Sequence, residues 1–323
     1  MTINFHKNHQ LLFYSVFFGF VLMTLIIAVG PAISLQNNTV PLPNSKPMTE
    51  QELRGLKIYI SEGCLYCHTQ QVRPIPQDKI FGRPSSPSDF VQLKPLDIWT
   101  MTPGVLGSER TGPDLSNIGN KQPSTVWQLM HLYNPRSVEK FSIMQSFPWL
   151  FMIKENPDIN DLVVPVPNEF APHSGKVVAT QEANDLVAYL LSLKQIPIED
   201  ANEIMEGKTL LKNVNSNGAQ LYNSICASCH QSNGQGVEQA FPPLKGDPVV
   251  TATDPTEHIK IVLFGSKGKV INGKTYSSEM PAWENQLSND EAAAIINHER
   301  KSWGNNAPTV TVEDIAKIRK EGK

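Results

Sequence analysis

Cys64-Leu65-Tyr66-Cys67-His68 and Cys226-Ala227-Ser228-Cys229-His230 are two copies of one pattern, C-x-x-C-H. This spacing is the attachment signature of a c-type haem, in which two thiols add across the porphyrin vinyl groups and the next residue, histidine, ligates the iron. Two residues between the cysteines match the vinyl separation, and the adjacent histidine can swing under the ring once the thioethers fix it. All 4 cysteines of the chain are used by these motifs. A C-x-x-C pair alone could be a redox dithiol, and two pairs could form a four-thiolate zinc site. The halves of such a zinc site usually lie closer in sequence than Cys67 and Cys226, and neither reading accounts for a histidine after both pairs in a chain with only 8. The expectation is two covalently bound haem c groups.

An iron with one histidine needs a sixth ligand, or an open site if it is to bind a gas or peroxide. Methionine thioether suits electron transfer, because its softness favours Fe(II) and raises the potential. After Cys229, Met280 in Glu279-Met280-Pro281-Ala282-Trp283 is the candidate, since it lies between the motif and the last helix of its unit and Pro281 stiffens its loop. After His68 come Met101, Met130, Met144 and Met152, with His131 also available. Met144 lies closest to the place that Met280 takes in the second copy. The other three methionines read as core or surface residues, and His131 as a helix-surface residue after Trp127.

The flanks of the two motifs repeat as well. Thr49-Glu50-Gln51-Glu52 is a capping box that predicts a helix running towards Cys64, with Gly55 and Tyr59 on one face. Thr180 caps a second helix over Ala183 to Lys194, whose Leu186, Val187, Leu190 and Leu191 form an apolar stripe beside Tyr189. Gly218 and Tyr222 precede Cys226 with the same spacing, and the capping box Ser288-Asn289-Asp290-Glu291 opens a helix to about Trp303. Each unit thus begins with G-x-x-x-Y before its motif and ends with an apolar-striped helix. In this the chain resembles the class I cytochrome c fold, whose terminal helices cross beside the haem. That resemblance implies a role for Pro113 in Pro113-Asp114-Leu115 and Pro242 in Pro242-Pro243-Leu244: a prolyl carbonyl that accepts the Nδ1 proton of the axial histidine and fixes its orientation.

Leu11 to Val29 is almost wholly apolar, and no Lys, Arg, Asp or Glu occurs between Lys7 and Lys46. Such a run spans about 28 Å as a helix, enough for the hydrocarbon core of a bilayer. A cleaved signal peptide is the rival reading, given Lys7 ahead of the run and small residues near Ala28 to Ala32; the run is long for that. Read as an anchor, it leaves Lys7 inside the cell and the rest in the oxidising compartment where c-type haem is attached. The net charge of −3 argues against nucleic acid as a partner, while 25 prolines and 8% aromatics suit loop-rich domains whose core a cofactor helps to fill.

The expected fold is therefore mostly α: an N-terminal transmembrane helix followed by two class I cytochrome c-like domains. The expected boundaries are 1–36 for the anchor, 37–48 for a linker and 49–195 for the first domain. A second linker takes 196–213, the second domain 214–305 and a C-terminal tail 306–323, where Thr311 caps a short helix to which no function is assigned.

The first unit resembles a narrower family. Glu62-Gly63-Cys64, Gln71-Val72-Arg73-Pro74, Gly107-Ser108-Glu109-Arg110-Thr111-Gly112-Pro113-Asp114-Leu115, Asn134-Pro135-Arg136, Ser142-Ile143-Met144 and Pro148-Trp149-Leu150 together resemble the membrane-anchored mono-haem subunit II of cbb-type cytochrome c oxidases. The likeness covers about residues 50 to 152 and implies His68 and Met144 as the axial pair. Two departures stand out: Gln145 where the family usually has proline, and the stretch from Arg83 to Pro103. The second unit, an addition to the usual subunit, resembles the generic domain of di-haem oxidase subunits and dehydrogenase cytochromes.

The resemblance implies an electron carrier of the bacterial inner membrane with its haem domains in the periplasm. Its partners would be a donor cytochrome c and a membrane-embedded haem–copper catalytic subunit that reduces oxygen. The chain itself, lacking a histidine-rich multi-helix membrane core, would not be the oxidase. Three alternatives stay open at this point: the cytochrome subunit of a nitric oxide reductase, the acceptor of a periplasmic dehydrogenase, and a di-haem peroxidase.

Overall fold

Hydropathy marks Leu11 to Val29, but the helix that forms there is longer. In the computed structural model of the chain, which describes residues 5–38, 42, 46–78, 80–90, 106–196, 217–268, 270–271, 273–276, 278–284 and 286–322, helix α1 covers His9–Asn38, 30 residues. At 1.5 Å per residue it is about 45 Å long. Asn8 caps it by accepting the Leu11 N–H at 3.0 Å. Pro31 offers no N–H to the preceding turn, and the backbone just before it, Leu25–Val29, widens into a π turn that absorbs the missing bond. Phe13, Phe18 and Phe20 are exposed, and α1 buries none of the window that makes it long and apolar enough to cross a bilayer. It fits a single-pass membrane anchor.

Two compact units divide the chain: Met1–Glu50 with Glu62–Ser116, and Gln51–Ser61 with Asn117–Lys323. Beyond α1, the first unit is mostly turns. Gly63, at φ 73°, takes the left-handed conformation that glycine adopts without strain and leads into a 3-10 turn over Cys64–Tyr66. Buried Asp78 gathers the loops after it: Arg73 donates Nε–H to it at 3.1 Å, and Arg110 pairs with it as well.

The second unit is a set of helices with two small hairpins. Helix α2, Glu50–Ser61, begins one residue after Thr49, as the capping box predicts, and packs against α3, Gln181–Ser192. Thr180 caps α3 by accepting the Ala183 N–H at 3.3 Å. Gly55 lets the two approach: a Cβ there would lie 2.0 Å from the Asp185 carbonyl oxygen. Arg54 fastens the crossing with a two-bond pair to the Asp185 carboxylate at 2.7 and 3.2 Å. Beneath it Leu56, Tyr59, Leu186 and Tyr189 are buried, the two tyrosine rings 5.3 Å apart. Between these helices in sequence lie α4, Thr125–Tyr133, and the antiparallel hairpin of β1, Phe151–Lys154, with β2, Lys176–Ala179, paired Phe151 to Ala179.

The second repeat uses the same device. Helix α5, Gly218–Ile225, crosses α6, Asn289–Lys301, where a Cβ on Gly218 would lie 2.1 Å from the Ala294 carbonyl oxygen. The expected capping box at Ser288 is formed with Glu291. The helix stops at Lys301, short of Trp303; that residue turns back at φ 55°, lays its ring 5.0 Å from Tyr222 and donates Nε1–H to the Ser232 carbonyl at 3.0 Å. Helix α7, Thr256–Phe264, and helix α8, Val312–Glu321, close the core, in which Ile259, Leu263, Ile295, Ile296 and Ile315 are fully buried. The segment that the sequence sets apart as a tail is thus built into this core. Arg300, 0% exposed, ties it down by donating to the carbonyls of Val250, Ala252 and Pro308 at 3.1, 2.7 and 2.7 Å. Of the expected linker 196–213, all but residue 196 falls outside the described residues.

Candidate haem sites

The two C-x-x-C-H motifs fold as short turns because each histidine N–H returns to the carbonyl of the first cysteine of its motif, at 3.0 Å for His68 and 2.9 Å for His230. The loops beyond the two motifs differ in length but deliver the same contact. His68 Nδ1 lies 2.8 Å from the Pro113 carbonyl oxygen and His230 Nδ1 lies 2.9 Å from that of Pro242. An Nδ1–H that donates to a carbonyl fixes the tautomer and leaves the Nε2 lone pair to bind a metal. Burial lowers the pKa of both histidines, which keeps each ring neutral and able to ligate near neutral pH.

Around His68, Gly107, Arg110, Gly112 and Asp114 each have a physical task. Gly112 is needed because a Cβ there would sit 2.2 Å from the His68 Cε1 and 2.7 Å from Nδ1. Gly107, at φ 70°, passes so close that a Cβ would lie 2.1 Å from the His68 carbonyl oxygen. Asp114 accepts from Thr69 Oγ1 at 2.5 Å and the Gln71 N–H at 2.8 Å, so the chain just past the histidine is held to the chain just past the proline. Arg110 completes the knot by donating to Thr69 Oγ1 at 2.7 Å and to the Gln71 carbonyl at 2.6 Å. The guanidinium groups of Arg73 and Arg110 hold the Asp78 carboxyl well below the usual carboxylate range.

In the second repeat the motif opens on a cavity that reaches solvent at its mouth. Its walls include Cys226, Cys229, His230, Pro242 and Met280, with Phe241, Val250, Val262, Ile271 and Trp283 supplying apolar surface. The sequence-selected residues of this repeat therefore share one cavity. Met280 is carried there by two backbone bonds to Ser266, at 2.8 and 3.1 Å, and Gly265, at φ 76°, makes room for that approach. Burial raises the pKa of the Cys226 thiol strongly and that of Cys229 to about 12, so both stay protonated thiols near neutral pH; Cys64 is likewise raised to about 12. A planar apolar group with two thiol-reactive edges and an iron between a histidine and a thioether fits this donor set.

Met144 is half-buried in the second unit, on an irregular segment where its N–H donates to Ser142 Oγ at 3.3 Å. Met130 is fully buried core and Met152 is exposed on β1, while Met101 lies outside the described residues. His131 is half-buried rather than out on the helix surface, and its ring stacks on Trp127 with centroids 4.5 Å apart.

Several wall residues carry no sequence signal. Gln122 lines the second-repeat cavity and donates to Ser228 Oγ at 2.8 Å, and Trp127 Nε1–H donates to the Ser228 carbonyl at 2.9 Å. His258 on α7 and Glu299 on α6 meet across 41 positions, with His258 Nε2 2.8 Å from Glu299 Oε2, both buried and both in the cavity wall. No local pattern links such residues; only the packing of α7 on α6 does.

Residues 4–164 match the family described as cytochrome c oxidase, mono-heme subunit/FixO, and residues 213–298 match that described as cytochrome c oxidase, cbb3-type, subunit III. Both are c-type cytochromes, whose haem is bound covalently. The chain is similar to the cytochrome c subunit of alcohol dehydrogenase (quinone) of Gluconobacter oxydans (strain 621H), with 45% identity over 106 residues, 32% of this chain and 22% of that one. It is 34% identical over 113 residues to cytochrome c-552 of Thermus thermophilus, 32% of this chain and 85% of that protein. It is 30% identical over 100 residues to the cbb3-type cytochrome c oxidase subunit FixP of Sinorhizobium medicae (strain WSM419), 31% of this chain and 34% of that one. The chain spans under a third of the length of the alcohol dehydrogenase subunits it matches, 22% and 31% of two of them.

Proposed function

From the premise that this chain belongs to the c-type cytochromes, with a FixO mono-haem oxidase domain and a cbb3 subunit III-type domain, we propose that it is a di-haem electron-transfer subunit. It would carry electrons from a periplasmic donor to the catalytic subunit of a cbb-type haem–copper oxygen reductase. In this reading Cys64 and Cys67 hold one haem and Cys226 and Cys229 the other; His68 with Met144, and His230 with Met280, are the axial pairs. Haem, when bound, supplies a one-electron Fe(III)/Fe(II) couple.

The observation that carries the reading is the paired histidine geometry, in which two imidazoles of separate motifs both present Nδ1 to a prolyl carbonyl, at 2.8 and 2.9 Å. Such buttressed histidines hold their orientation whatever the charge of the metal. The apolar walls around His230 would limit the access of water to a metal held there, and a methionine at the sixth position would shut out other ligands, as suits transfer without substrate chemistry. Helix α1 would tether the chain to the bacterial inner membrane, with the N-terminus cytoplasmic and the cytochrome domains periplasmic.

The likeness to dehydrogenase cytochrome subunits favours a second reading, in which the chain serves a periplasmic dehydrogenase as acceptor. Purifying the native assembly and identifying its companion chains separates the two: a copper-containing, oxygen-consuming membrane subunit supports the oxidase reading, and a dehydrogenase refutes it. A pyridine haemochrome assay must give two thioether-bound irons per chain. Pigment that leaves the denatured protein in acidic organic solvent would sink both readings.

A further inference from the structure

The two C-x-x-C-H turns differ in what covers them. Cys67 is exposed and Tyr66 beside it is 69% exposed, whereas Cys226 and Cys229 are half-buried. Part of the cover over the second turn comes from the first repeat, out of residues that share with it the span Asn117–Lys323 of one compact unit.

Three side chains make the contact. Gln122 donates Nε2–H to Ser228 Oγ at 2.8 Å, and Trp127 of α4 donates Nε1–H to the Ser228 carbonyl at 2.9 Å. In the return direction Gln231, one residue past the motif, donates Nε2–H to the Val138 carbonyl at 3.3 Å. The first two donors are themselves held. Gln122 is 7% exposed, its carbonyl accepts from Gln128 Nε2 at 2.9 Å, and the Trp127 ring stacks on that of His131. Buried donors fixed in this way suit one particular acceptor rather than whatever surface lies near. Gln231 holds φ 61°, a backbone conformation that a residue other than glycine keeps only where its surroundings impose it.

Ser228 makes the fit possible. It lies between the two cysteines, at the position that Tyr66 takes in the first motif. A phenol in its place would fill the space into which the Gln122 amide and the Trp127 indole reach. Gln122 also lines the cavity of the second repeat together with Cys226, Cys229 and His230.

We propose that Gln122 and Trp127 of the first repeat close the cysteine edge of the second haem site, which is complete only when the two repeats are docked. The proposal rests on the proposed function, in which a haem is bound at Cys226 and Cys229. An edge closed in this way is barred to water and to separate redox partners, so a donor protein must reach the second haem from another side. Screening from water disfavours Fe(III), the more charged state, and holds the potential of that haem up.

The test uses the full chain purified in detergent with its haems. Wild type is compared with Ser228→Tyr, Trp127→Phe and Gln122→Ala. Trp303→Phe is the control, because Trp303 donates Nε1–H to the Ser232 carbonyl from within the second repeat. Spectroelectrochemistry reads the two potentials, and stopped-flow reduction by ascorbate reads the rate at each haem. In Ser228→Tyr one haem should fall in potential and yet be reduced severalfold faster, which the smaller driving force alone would oppose, while the other haem is unchanged. Trp127→Phe and Gln122→Ala should move the same haem in the same direction by less, and Trp303→Phe should leave its rate as in wild type. Should Ser228→Tyr fail to fold or lose its haem, the two milder variants carry the test. Unchanged rates in every variant that keeps its covalent haem would overturn the proposal and leave the contact as packing alone. Absence of a haem adduct on the wild-type peptide containing Cys226 and Cys229 would instead overturn the reading beneath it.

Discussion

Replacing Gly55 by alanine sets two effects of known sign against each other. Alanine in a helix interior is favoured over glycine by about 1 kcal/mol. Against this, the new Cβ would stand 2.0 Å from the Asp185 carbonyl oxygen and 2.7 Å from the Tyr189 Cβ, where real Cβ atoms essentially never come within 3.0 Å. Helices α2 and α3 must part by about 1 Å, a gap that forfeits a quarter to a half of each van der Waals contact across it. The carbonyl is helix backbone and cannot swing aside, and the Arg54 to Asp185 pair holds the same spot. Overpacking a core typically costs about 1–3 kcal/mol, and a rigid backbone partner puts this case at the upper end. The net expectation is a loss of about 2 kcal/mol. Gly218→Ala, at the first turn of α5 where the gain in helix propensity is smaller, should lose slightly more. Native-state hydrogen exchange of the detergent-solubilised protein reads each effect locally, through the amides of Glu50–Ser61 and Gly218–Ile225. If Gly55→Ala exchanges as slowly as wild type or more slowly, close helix approach is not what this glycine provides and the reasoning fails.

Gly112→Ala should push the His68 ring off the Pro113 carbonyl, since the added carbon would lie 2.2 Å from Cε1; peptide mass analysis is expected to show a severalfold drop in haem at Cys64 and Cys67. Asp78 and Asp185 have their pKa lowered by arginine hydrogen bonds. Their stabilisation is complete above the unfolded value of about 3.9 and is lost as pH falls from there through the folded values. Denaturant midpoints should therefore fall steeply only in acid, and Arg54→Met should flatten part of that fall. Trp127→Phe removes the bond to the Ser228 carbonyl at 2.9 Å and should cost about 1 kcal/mol in denaturant unfolding followed at the Soret band. Arg300→Met strands three carbonyls that the guanidinium now satisfies; a loss of about 3 kcal/mol or more is expected in the same measurement.

Much of the candidate site was legible because its grammar is local. Covalent haem attachment needs two thiols and a histidine within five residues, and helix caps announce themselves within four. For that reason the motifs, the starts of α2, α6 and α8 and the cap of α3 could all be read in advance. The G-x-x-x-Y repeats were visible as a pattern, and the structure supplies their cause, two helix crossings tight enough to exclude a methyl group. Helix α6 ends two residues before Trp303, which turns back at φ 55° with its ring 5.0 Å from that of Tyr222, a contact that near neighbours in sequence do not announce.

The order of residues along the chain determined that this is a c-type cytochrome with an apolar helix and two haem motifs, because thioether chemistry, apolar length and helical period are all set by near neighbours. Tertiary structure alone decided the rest: that Arg300 draws the last segment into the core, that Gln122 and Trp127 reach the second motif, and that His258 meets Glu299 in the cavity wall. Apart from that of Arg300 with Pro308, 8 positions away, these contacts join positions 41 or more residues apart. Each forms only when packing has removed water from both partners, and no spacing in the sequence encodes that.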